Sequence, residues 1–130
     1  MPSLYELKVL FSQESGGEQF LAWYSGIKAT NPQPYGTRLL AELFQWLGSG
    51  RDADLKKRDA VVKVWTEALP SSSRGYFAAA CLSKGKGDEV SARANQKKAR
   101  ELLDSDEDIF LDNITRQKIK GTATLSLTAN

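Results

Sequence analysis

The chain has 130 residues, 41% hydrophobic and 26% charged, with a formal net charge of +2, which fits one globular domain rather than a chain disordered throughout. It contains one cysteine, Cys81, and no histidine, so an intramolecular disulfide is impossible, and imidazole-dependent dyads, triads and the usual zinc sets lack their groups. No apolar run approaches the roughly 20 residues of a bilayer-spanning helix, and residues 1–6 show no basic-then-apolar leader plan. These features predict a soluble, intracellular protein, cytoplasmic or carried in a virus or phage particle, with no cofactor, no metal and no membrane partner.

In chain order, Tyr5, Leu7, Val9 and Phe11 alternate with more polar positions, a period-2 pattern that predicts a half-buried strand over residues 4–11. Ser15 and Glu18 have the spacing of a capping box, and Phe20, Trp23, Tyr24 and Ile27 follow at helical spacing, predicting a helix from Ser15 to Ala29. Pro32 and Pro34 must end it. A second helix is expected from Thr37 to Leu47, with Leu39, Leu40, Leu43, Phe44 and Leu47 as its apolar face and Gly48 at its end.

A third helix is expected over residues 52–69, capped by Asp52 or Asp54, with Leu55, Val62, Trp65 and Leu69 inward. The competing reading is a strand over residues 60–66, because valines favour extended backbone. An alanine-rich helix is expected from Arg74 to Leu82, with a strand over 75–82 as the alternative. A flexible loop, Lys84-Gly85-Lys86-Gly87, then precedes a fifth helix that Asp88 caps and that runs to Leu103. Ile109, Phe110, Leu111 and Ile114 should dock the segment after it. Alternation of Ala123, Leu125 and Leu127 with Thr122, Thr124, Ser126 and Thr128 predicts a second strand. The expected fold is therefore mainly α, about five helices around one core, with a small β ribbon made by pairing the two terminal segments; an α/β arrangement is the alternative.

Charge is unevenly distributed: residues 51–100 hold twelve Lys and Arg against six Asp and Glu, and residues 101–115 hold six acids and no base. Lys56, Lys57 and Arg58, then Lys84, Lys86, Arg93, Lys97, Lys98 and Arg100, form a candidate nucleic-acid surface, with Arg93, Lys97 and Arg100 on one helix face. The competing reading is a solvated surface partly neutralised by neighbouring acids.

Asp104, Asp106 and Asp108 match the start of a calcium loop, but Ile109 replaces its glycine and Thr115 its bidentate glutamate, so an acidic pole that meets a partner is the better reading. Trp23, Trp46 and Trp65 fall one on each of the three predicted helices, and Trp46, lying off the main face, is a candidate interface residue. Ser25 and Lys28 have the Ser-x-x-Lys spacing of some acyl-enzymes without the accompanying elements. Cys81 reads as a packed apolar group.

No spacing brings Glu14, Glu18, Glu42 and Glu67 together as a carboxylate pair, although composition alone allows it. The sequence thus predicts a non-enzymatic assembly or interaction protein. It is expected to self-associate, with a homodimer as the expected form, and to act in a larger macromolecular complex; the alternative is an RNA- or DNA-binding accessory protein.

Overall fold

The computed structural model describes residues 2–48, 55–108 and 111–121. Among them are seven helices: α1 (Leu4–Phe11), α2 (Gly16–Ile27), α3 (Thr37–Gly48), α4 (Leu55–Ala68), α5 (Ser73–Gly85), α6 (Glu89–Leu103) and α7 (Asn113–Lys120). The described residues contain no strand. The mainly helical expectation holds, while the strand expected over residues 4–11 is corrected to a helix. The strand expected at Thr122–Thr128 lies outside the described residues, as do the caps Asp52 and Asp54 and the pair Ile109 and Phe110.

The first segment is helical because its ends and one face both favour it. Ser3 accepts from the Glu6 amide at 3.2 Å while Glu6 accepts from the Ser3 amide at 3.1 Å, a reciprocal cap that satisfies two otherwise orphaned donors. Leu7 and Phe11, four residues apart, are fully buried. Tyr5 and Val9 therefore face outward, the reverse of what alternation predicted.

The capping box expected at Ser15 does not form. Ser15 instead accepts from Gln19 Nε2 at 2.6 Å, and α2 begins on Gly16, packed so closely on α1 that a Cβ there would lie 2.5 Å from the Leu10 carbonyl oxygen. Glycine at this position permits the α1–α2 corner.

Helix α4 packs on α2, α3 and α5; α5 packs closely on α6; α1 packs on α2 and α3; α3 also meets α5; and α7 packs on α5 and α6. The first part of the stack has an aromatic core. Phe11 meets Phe20 at a centroid distance of 5.2 Å, Phe20 meets Trp23 at 5.9 Å, and Trp23 meets Tyr35 at 5.6 Å.

Trp65 is buried, lies edge-on to Phe44 at 6.4 Å and donates to Ser72 Oγ at 3.2 Å. Its polar edge is thereby satisfied inside the core. Both α4 and α5 are helical throughout, so the extended alternatives over residues 60–66 and 75–82 are overturned. The valines of α4 are kept helical by burial of Val61, Val62 and Val64 alongside Trp65, tertiary packing that outweighs their β preference.

At the other end small residues line the closest helix contact, with Tyr76 and Phe77 at its margin. Ala80, Ala92 and Ala99 have no exposed surface, which brings α5 and α6 together as a tight antiparallel pair. Residues 84–87 are more ordered than a flexible loop: α5 continues through Gly85, Asp88 donates to the Ser83 carbonyl at 2.9 Å, Gly87 donates to that of Lys84 at 2.8 Å, and Gly87 has φ 81°. This is a glycine-closed helix end followed directly by the Asp88 cap of α6.

The seventh helix was not anticipated from the sequence. Asp112 caps it by accepting from the Thr115 amide at 2.7 Å, and Ile119 buries itself with Leu103 and Leu111 in a second cluster. Leu111 docks as expected. Ile114 does not, remaining 69% exposed.

Candidate interaction surfaces

The nine predicted cations do not form one surface. Arg58 is buried, with its guanidinium 3.8 Å from the centroid of the Phe44 ring. It packs against the end of α3 so tightly that a Cβ on Gly48 would fall 2.6 Å from the guanidinium carbon, and its Nε has no hydrogen-bond partner among the described residues. Burial lowers its pKa, an effect that nearby Cys81 opposes. The placement of Arg58 as a surface contact is therefore corrected: its stem and head fill space beneath α3, as arginine can.

Lys86 is ion-paired to Asp59 at 2.9 Å, and Asp59 also holds Lys63 at 3.2 Å. Burial tends to raise the Asp59 pKa, but hydrogen bonds from Lys86 and Lys63 outweigh it and the net direction is downward. Lys57 and Lys84 are likewise engaged with partners. Of this first group only Lys56 stands exposed without an ion pair among the described residues.

The cations of α6 behave differently. Arg93, Lys97 and Lys98 are exposed, and Lys98 sits 5.9 Å from the centroid of the Tyr76 ring. Arg100 donates to the Gly121 carbonyl at 3.4 Å and Gln96 donates to the same oxygen at 2.6 Å. Those two bonds fasten the end of α7 to the flank of α6.

The acidic stretch is mostly used inside the molecule. Asp106 Oδ2 accepts from the Ser73 amide at 2.8 Å and the Ser73 hydroxyl at 2.6 Å, and its Oδ1 accepts from the Asp108 amide at 3.0 Å. Asp108 pairs with Arg74 at 3.2 Å, with little of either side chain exposed. A carboxylate at the start of α5 answers both its orphaned amides and its dipole. Asp104 remains exposed.

The cleft beside this segment, about 630 Å³, is lined by Thr37, Arg38, Ser71, Ser105, Asp106 and Asp108 among others. Its two aspartates are already acceptors in these bonds. Elsewhere Glu42 faces Arg38 at 3.5 Å and Glu67 faces Lys28 at 3.2 Å. The described residues hold no group of three or more Cys, Asp or Glu able to bind a metal ion.

Cys81 lines a small cavity of about 90 Å³ with Phe44, Trp65, Phe77 and Lys118. Burial pushes its thiol up to about 11, against the opposing pull of Arg58 and Lys118, so it is a poor nucleophile near neutral pH.

A surface that charge counting did not reveal lies on α1 and α3. Tyr5 is 75% exposed, Val9 48% and Trp46 36%, and Lys8, one turn from Tyr5, lies 5.6 Å from the centroid of the Trp46 ring. The lysine joins the outer face of α1 to the edge of α3. Trp23 packs against the core and Trp65 is buried in it, so Trp46 is the outlying tryptophan, where the sequence placed it. Tyr5 and Val9 were missed because the strand reading pointed them inward.

No helix among the described residues is long and apolar enough to cross a membrane. Comparison with family models, curated proteins and solved structures returns no significant match.

Proposed function

We propose that this chain is a non-enzymatic assembly protein that associates through the outer face of α1 and the adjoining edge of α3, with a homodimer as the simplest product and a larger complex as its setting. The observation that carries this reading is the exposure of Tyr5, Val9 and Trp46 on neighbouring helices, with Lys8 lying against the Trp46 ring. Aromatic residues are enriched in the contact cores of interfaces. A face repeated by a two-fold axis can cover itself.

Two earlier grounds for association are replaced by this one. Residues 4–11 offer no strand edge, and Asp106 and Asp108 serve inside the fold rather than as a free acidic pole. A reducing compartment such as the cytoplasm suits a chain whose one thiol is free and buried, and association with a virus or phage particle is the further setting of this reading. Sedimentation velocity across the micromolar range tests the reading: reversible association of the wild-type chain, lost in a Tyr5→Ser/Trp46→Ser variant, supports it, whereas a wild-type monomer throughout contradicts it.

A further inference from the structure

A different surface carries a second activity. We propose that the α6–α7 flank grips the phosphate backbone of duplex nucleic acid through Arg93, Lys97 and Arg100 together with Lys120. The first three share a helix face at steps of four and three residues, so from Arg93 to Arg100 they span about 10 Å at about 1.5 Å per residue. That length matches about three phosphates of one strand along a duplex axis, at roughly 3.4 Å each.

The fold extends this ridge. Gln96 and Arg100 both hold the Gly121 carbonyl, which brings the exposed Lys120 at the end of α7 to the same flank. Arg93, Lys97 and Lys120 form no ion pair among the described residues. Three of the neighbouring acids are directed elsewhere: Asp106 to Ser73, Asp108 to Arg74 and Asp112 to the Thr115 amide. Glu89, Glu101, Asp104 and Glu107 remain exposed and hold the affinity down.

The ridge favours a duplex over a single strand because it lacks a stacking platform. Its exposed large apolar side chains are Val90 and Ile114, neither aromatic, and Tyr76 is half-buried with Lys98 near its ring. Single-strand binders combine charge with aromatic stacking, whereas phosphate contacts alone position a duplex without reading its sequence. Arg93 and Lys97 lie exposed on one helix face, a convex cationic ridge that suits a repeating line of phosphates.

The test is fluorescence anisotropy with labelled duplex DNA and duplex RNA. For about four phosphate contacts, affinity should fall roughly 150-fold between about 50 and 200 mM salt. The variant Arg93→Gln/Lys97→Gln/Lys120→Gln should bind at least tenfold more weakly at the lower salt, with a flatter salt dependence. Lys28→Gln/Lys56→Gln/Lys63→Gln, with the same net charge, should bind as the wild type does; circular dichroism confirms that both variants are folded. Absence of duplex binding at the lower salt, equal weakening by both variants, tighter binding of a single strand, or tighter binding of polyglutamate would each overturn the proposal.

Discussion

The two ends of the helix stack are stabilised by different chemistry, and their surfaces differ accordingly. From α1 to α4 the interior is built from rings and large aliphatic side chains, with Phe11, Phe20, Phe44 and Trp65 buried and Tyr5 and Trp46 left outside. From α5 to α7 the contact is made by alanines, a small cluster of Leu103, Leu111 and Ile119 with Tyr76 and Phe77 against it, and polar staples, with Asp106 at the start of α5, Gly121 held by Gln96 and Arg100, and cations outside. The first end leaves Tyr5 and Trp46 exposed, the basis of the proposed assembly face. The second turns Asp106 and Asp108 inward and leaves Arg93 and Lys97 exposed, the basis of the proposed phosphate contact.

The largest expected effect is at the boundary of the two ends. Trp65→Ala removes the ring that meets Phe44 and the donor to Ser72, and should cost about 3–5 kcal/mol, read as a lower midpoint in urea denaturation. If the loss is below 1.5 kcal/mol, by roughly the volume-conserving standard, the ring does not organise the core as described.

Asp106→Ala sharpens the comparison. Ser73 is fully buried, so its amide and hydroxyl would be left without their acceptor at a cost of about 1–3 kcal/mol. Amide exchange should speed up in α5 to α7 and stay unchanged in α1 to α3. Equal loosening of both ends would show that they are not energetically distinct.

Cys81 reports the same boundary through pH. Its thiol is raised from 9.0 to about 11, so the neutral form is favoured on folding; this contribution is complete below pH 9 and is lost as pH rises through about 11. Alkylation at pH values below that window should be negligible for the native chain and prompt in denaturant. Rapid native labelling would place the thiol outside the packed core. The smallest expected stability effect belongs to Tyr5→Ser/Trp46→Ser, within about 0.5 kcal/mol per exposed site, since those side chains serve contact rather than folding.

The helical class, the three central helices and the Asp88 cap were legible because apolar spacing and cap residues agreed there. Residues 4–11 were misread because Tyr5, Leu7, Val9 and Phe11 fit a period of two as well as Leu7 and Phe11 fit a helix; the Ser3–Glu6 box was the signal that distinguishes them. Helix α7 was missed because it buries one residue of its own, Ile119, too little for a periodic pattern.

At the surface, Arg93 and Lys97 lie exposed on α6 while Arg100 turns partly to Gly121, and Trp46 lies apart from the buried face of α3. Sequence spacing could not show that Arg58 turns inward to Phe44, or that Asp106 and Asp108 reach back 33 and 34 residues to Ser73 and Arg74. Those are tertiary contacts with no local pattern.

The most direct test of the central claim is sedimentation velocity of the wild-type chain beside Tyr5→Ser/Trp46→Ser at matched micromolar concentrations. The account predicts concentration-dependent association in the wild type and a folded monomer in the variant. A wild type that stays monomeric, or a variant that associates equally well, would contradict the assignment of the α1–α3 face as the site of assembly.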